Sequence, residues 1–300
     1  MIGTTTRLSK MLFFLFCLFC VAYPIAVIGV AFNINPPFSM TWAGGALLLL
    51  EGTMMAVAVM DSYAILGLFA IILVVILSYA IEALGVHTGF PFGAYYYTDV
   101  LAPFLPGGVP LAVIFAWIMI LFSVQGVIYG LTARLQGKVP KIFLGPLLAI
   151  LLDLLLEPVA FHLEHYWNWL SPGIFNYYGV PISNVIAWFV LSFLLLIVIN
   201  FFVLHAIVLI DTTSFAGRLP HRIAALLYGA NVFMFGLIDL THGYYLGVLF
   251  AVIAGFLLWV LSPFPRYAEL TVPIIDSIEQ DQAFQRNRKR VKKAKRKKRR

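Results

Sequence analysis

Charge is scarce in this 300-residue chain. Asp, Glu, Lys and Arg make up 11% of it and apolar residues 62%, whereas soluble domains carry about a quarter charged residues. That excludes an ordinary soluble domain. Twelve of the twenty basic residues fall within residues 286–300, leaving eight against thirteen acids elsewhere. The formal charge of +7 thus belongs to the tail, and a basic nucleic-acid-binding body is excluded. Cysteine is nearly absent. Cys17 and Cys20 lie three apart in an apolar run, without the partners that a zinc site or disulfide framework needs. Glycine-rich phosphate loops, GxSxG elbows and aspartate-rich diphosphate motifs are missing too. His162-Leu-Glu-His165 has neither zinc-protease spacing, so no metal is expected.

Long apolar runs are what the chain has instead. A spanning helix needs roughly 20 mostly apolar residues, and windows of that size fall at 11–31, 42–60, 65–85, 109–131, 142–161, 182–210, 222–240 and 244–262. The first has a longer apolar core than a signal peptide and is read as an uncleaved span. The second carries Glu51 near its middle. Segments 86–108 and 162–181, rich in Gly, Pro and aromatics, do not read as regular helix. The expected fold is therefore all-α: a polytopic membrane helix bundle of about eight transmembrane helices over residues 1–262. Residues 263–300 are expected to form a cytoplasmic, largely disordered basic tail.

Lys and Arg orient the bundle. With the N-terminus cytoplasmic and eight crossings, one side collects Arg7 and Lys10, then Arg134, Lys138 and Lys141, then Arg218 and Arg222, then Arg266 and the tail. The outer segments 32–41, 86–108, 162–181 and 241–243 contain no Lys or Arg. Both termini are accordingly expected in the cytoplasm of a multi-pass cell-membrane protein, with the tail tethered to anionic lipids. His205 and His221 fall toward the cytoplasmic side and read as packing residues.

The chain also repeats itself. Residues 108–117 read GVPLAVIFAW and residues 179–188 read GVPISNVIAW; upstream of each a glutamate precedes a histidine by five positions, Glu82 to His87 and Glu157 to His162. The third and fourth helices with their loop look like a parallel repeat of the fifth and sixth. Such repeats often frame a site between them.

Ionisable residues inside spans cost about 2.5–3.5 kcal/mol each even on lenient scales, yet Glu51, Glu82, Asp153, Glu157 and Asp239 fall there. All but Glu51 gather toward the outer leaflet, near Asn184 and His242. Asp153 and Glu157, four apart, share a helical face. Each acid alone could be satisfied by a hydroxyl or amide in helix packing. Together, with no Lys or Arg in reach, they point to a polar cavity. Desolvation among like charges favours a neutral carboxyl, the form a general acid needs. The outer aromatics Phe90, Phe92, Tyr95, Tyr96, Tyr97, Tyr166, Trp167, Trp169, Tyr177 and Tyr178 mostly suit an interfacial belt, with a few free to face a cation.

The string from His87 to Thr98, HTGFPFGAYYYT, followed by GVPLAVIFAW, resembles the membrane carotenoid hydratase family, which includes γ-carotene 1′,2′-hydratases and bisanhydrobacterioruberin hydratases. So does DLLLEP at 153–158 followed by YYGVPISN at 177–184 and Ala187-Trp188. The likeness covers roughly residues 80–190. It implies a cofactor-independent membrane enzyme that adds water to the terminal 1,2 double bond of an acyclic carotenoid end, with γ-carotene, lycopene or a C50 analogue as substrate. It leaves room for association with other carotenoid-pathway membrane enzymes. The small number of acids tilts the substrate toward a bacterial C40 carotenoid.

That chemistry agrees with the residues. Protonating a trisubstituted alkene at C2 gives a tertiary cation at C1 that water captures. It needs a carboxylic acid, a second carboxylate and aromatic walls. The donor and base are expected in the pair Asp153 and Glu157, with Glu82 as a third acid and Asp239 supporting. His87, Asn184 and His242 would orient water or tune the acids, and Phe90, Phe92, Tyr95, Tyr97 and Tyr178 would contact substrate. Three alternatives stay open. A proton-coupled transporter would need a polar path to the cytoplasm, a carotenoid-binding or scaffold protein would tolerate Asp153→Asn, and an end-group cyclase would share the protonation step.

Overall fold

A computed structural model describes residues 6–34, 37–131, 141–171, 173–204 and 215–261. They belong to one compact unit, 1–262. The second unit, 263–300, with its expected lipid tether, lies outside the described residues, as do Arg134, Lys138 and His205.

Seven helices account for most of the unit: α1 Arg7–Ala31, α2 Ala43–Thr88, α3 Leu111–Leu131, α4 Lys141–Pro158, α5 Ile182–Leu204, α6 Phe215–His242 and α7 Tyr245–Leu261. A bilayer offers the backbone no hydrogen-bond partners, so apolar segments satisfy their own as helices. Thr6 starts α1 by accepting from the backbone N–H of Ser9 at 2.9 Å, and Gly89, at φ 75°, closes α2. The 46 residues of α2 are two arms, 43–63 and 65–88, broken at Ala64 (φ 51°, ψ −131°). The arms turn back sharply, since a Cβ on Gly67 would lie 2.6 Å from the Val59 carbonyl oxygen. Two helical arms therefore occupy α2, so the described residues hold eight helical segments at the positions of the eight hydropathy windows. Only α7 is shorter than the usual span length.

Central and peripheral helices separate by burial. In α3 and the α4 segment, 78% of the apolar window is buried, against 17% in α1. The first arm of α2 approaches α3 so closely that a Cβ on Gly52 would fall 2.4 Å from the Phe115 carbonyl oxygen, the small-residue contact that membrane helices use in place of a hydrophobic driving force.

Both irregular segments lie where 86–108 and 162–181 were expected, and each contains strands. After α2 come β1 Tyr95–Tyr97, β2 Phe104–Leu105 and β3 Val109–Pro110. After α4 come a π-helical turn, Val159–Leu163, then β4 Trp167–Trp169, β5 Asn176–Tyr177 and β6 Val180–Pro181. β2 pairs with β3 and β5 with β6, each an antiparallel hairpin leading into the next helix. Gly108 (φ 76°) and Gly179 (φ 85°) take the same left-handed turn before their Val-Pro strands, a conformation that favours glycine. The remaining pair joins the two halves. β1 runs antiparallel to β4 with Tyr95 opposite Trp169, Tyr96 opposite Asn168 and Tyr97 opposite Trp167. The internal repeat is thus a structural one, with an isologous contact around a pseudo-twofold axis.

Candidate functional site

Two glutamates, one from each half of the repeat, sit in matching cages. Glu82, on the second arm of α2, accepts from the Tyr95 and Tyr97 hydroxyls at Oε2, both at 2.8 Å. Its Oε1 accepts from the Trp117 indole N–H at 2.8 Å. Glu157, on α4, accepts at Oε2 from the Trp167 and Trp169 indoles at 3.1 and 3.3 Å. Its Oε1 accepts from the Asn184 amide at 2.8 Å. In each half the strand after the helix supplies two donors and the following helix a third. Burial, and then the neighbouring Glu82, hold the Tyr95 and Tyr97 phenols well above their ordinary range, so both remain donors. Trp117 and Trp188, which end the two matching decapeptides, stack at a centroid distance of 4.1 Å and 12° between planes.

Asp153, one turn before Glu157, breaks the symmetry. Its Oδ2 accepts from the Asn184 amide at 3.3 Å, so one amide nitrogen bridges both acids. Its Oδ1 has no hydrogen-bond partner among the described residues although the side chain is 1% exposed. The corresponding residue of the first half, Ser78, donates to its own helix at the Val75 carbonyl, and the counterpart of Asn184 is Val113 by the decapeptide alignment.

These groups surround one pocket. Its wall includes Glu82, Asp153, Glu157, Asn184, Phe92, Tyr95, Tyr97, Tyr166, Trp167, Trp169, Trp117, Trp188 and Asn231, with aliphatic residues such as Leu48, Ile120 and Leu152 between them. Seven of the twelve residues expected at the site therefore converge: Glu82, Asp153, Glu157, Asn184, Phe92, Tyr95 and Tyr97. The other five do not line this pocket. His87 and Phe90 are exposed. Tyr178 accepts from the Leu246 N–H at its hydroxyl, and His242 lies near Asn33 and the Ile238 carbonyl. Asp239 is buried elsewhere, against α7, where a Cβ on Gly247 would meet its carboxylate.

Two expectations are corrected. Trp167, Trp169 and Tyr166, expected mainly as interfacial aromatics, turn inward because β4 pairs with β1 over the pocket. Glu82 and Glu157 are not unpartnered, because aromatic N–H and O–H groups take the place of the absent Lys and Arg. Trp117, Trp188 and Asn231 were missed. The first two had a signal, ending both repeated decapeptides. Asn231 had only its amide in the largely apolar stretch of α6 between Arg222 and Asp239. No cluster that could hold a metal ion occurs among the described residues.

The chain matches the carotenoid biosynthesis protein family over residues 43–258. It belongs to that family. The match takes in both halves of the repeat and all four acids expected at the site. The bisanhydrobacterioruberin hydratase of Haloarcula japonica is 31% identical over 120 residues, 40% of this chain and 40% of the relative. The matched stretch thus spans well under two thirds of that relative's length. No solved structure matches the chain. The protein is a polytopic, all-α membrane protein of carotenoid biosynthesis.

Proposed function

We propose that this protein hydrates the terminal 1,2 double bond of an acyclic carotenoid end without a cofactor, giving a tertiary 1-hydroxy carotenoid. The observation that carries the reading is Asp153: a buried carboxyl with a free oxygen, lining an apolar, indole-walled pocket in a carotenoid biosynthesis protein. The hydratase name of the Haloarcula japonica relative supports it.

The steps follow from hydrogen-bond capacity. Indole N–H and amide NH2 groups only donate, so Glu157 is occupied as an acceptor by three donors, whereas Asp153 Oδ1 is free to carry and deliver a proton. Asp153 protonates C2 of the alkene, and the positive charge forms at C1. The stacked Trp117 and Trp188 present π faces, which favour a cation desolvated in an apolar pocket. A water oxygen bonds to C1 and gives its proton to Glu157. Transfer of that proton to Asp153, one turn away and bridged by Asn184, restores the starting state. Alkene and water enter and the alcohol leaves, with no redox change. Glu82 holds the tyrosine side of the wall.

In this reading both termini lie in the cytoplasm and the pocket lies toward the outer leaflet, which the distribution of Lys and Arg along the sequence supports. An extended polyene lying among the acyl chains would then present one end to the pocket.

Expression in cells that accumulate lycopene or γ-carotene, followed by liquid chromatography and mass spectrometry of the pigments, tests this. The expected product is a more polar pigment heavier by one water, lost in Asp153→Asn. An isomer of unchanged mass would replace hydration by cyclisation. Unchanged pigments, with the protein present in the membrane, would reject the reading.

A further inference from the structure

Asn231 is a polar residue of the pocket wall that the proton steps leave unused. It is fully buried on α6 and its orientation is fixed. One amide hydrogen goes to the Leu227 carbonyl at 3.0 Å and the other to Glu51 Oε2 at 3.0 Å. A flipped amide would set its oxygen against the Leu227 carbonyl, so Oδ1 is the atom left over. It has no hydrogen-bond partner among the described residues, and leaving a buried carbonyl unsatisfied is costly.

A neighbouring bond ties its helix to that of Asp153. Tyr228 on α6 donates to the Leu148 carbonyl on α4 at 2.9 Å, and in the eight-crossing order both helices run toward the same side. Asn231 is three residues beyond that bond and Asp153 five beyond it. Asp153 and Asn231, each with a buried acceptor oxygen that has no partner among the described residues, line one pocket. Glu51, behind Asn231 in the first arm of α2, is buried and does not line the pocket.

Resting on the hydration reading, we propose that Asn231 orients the attacking water. Its Oδ1 accepts one water hydrogen and Glu157 accepts the other, which turns an oxygen lone pair toward the cation at C1. Glu51 is a positioning residue that acts through Asn231 by holding the amide. The water oxygen bonds to C1, the transferred proton goes to Glu157, and the hydrogen on Asn231 stays with the new hydroxyl.

A cation denied its water has another exit. It loses a proton and returns to an alkene, so protonation continues while alcohol formation fails. Membranes holding the full-length protein are incubated with lycopene in D2O, and alcohol and deuterium at C2 of recovered alkene are measured together. For Asn231→Ala and Asn231→Ser, alcohol is expected to fall about tenfold, the value of one hydrogen bond, while deuterium incorporation persists. Glu51→Leu should show the same split, and Glu51→Gln, which keeps a carbonyl for the Asn231 amide, should recover alcohol relative to Leu. Parallel loss of alcohol and deuterium in both Asn231 variants overturns the assignment, as does unchanged alcohol. A wild-type protein yielding neither signal would overturn the hydration reading itself, and this inference with it.

Discussion

The two halves of the repeat build the same cage and fill it differently. Around Glu82 the donors are two tyrosines and a tryptophan; around Glu157 they are two tryptophans and an asparagine. One turn earlier the first half has Ser78, bonded to its own helix, and the second has Asp153 with a free oxygen. Where the second half uses Asn184 to bridge its acids, the first has Val113. Duplication thus supplies a scaffold that can hold a buried carboxylate twice. In the proposed reaction, these two positions are what separate the reactive copy from the structural one.

That contrast can be broken from either side. Asp153→Asn removes the proposed proton donor and keeps the shape, and is expected to cut alcohol formation about a thousandfold, within the range for a general acid; Ser78→Asn, its counterpart, should leave pigment profiles little changed. Glu157→Gln should cost about a hundredfold, measured by the same chromatography, and more than Glu82→Gln. An equal loss from the two would erase the distinction between the halves. Asn184→Val makes the second cage resemble the first and is expected to lower the rate about tenfold by unbridging the acids. The smallest effect belongs to Tyr97→Phe, which removes one of three donors to Glu82. It should destabilise the protein by about 1–3 kcal/mol, read as a lower unfolding temperature in detergent, with the product unchanged.

Helix number, span positions and the repeat were legible because each follows from local sequence. Hydropathy marks a span wherever backbone groups must be satisfied without water, and GVP strings mark turns that need glycine at positive φ. Asp153, Glu157 and Glu82 were legible as polar residues in apolar runs. The indole cage was not, because Trp167 and Trp169 have the composition of an interfacial belt. Only the pairing of β4 with β1 turns them toward Glu157. Asp239 carried as strong a sequence signal as Glu82, yet α6 delivers it against Gly247 and not to the pocket.

By itself, the sequence determined a membrane bundle with a duplicated core, scarce charge and a few acids that apolar helices would not carry without use. Tertiary structure alone decided which of those acids meet, which oxygens remain free and which aromatic groups face them. Membrane insertion is governed by the composition of each segment separately. A site depends on how several segments are rotated and raised against one another, and here strand pairing across the pseudo-twofold axis and close helix contacts at small residues set that arrangement.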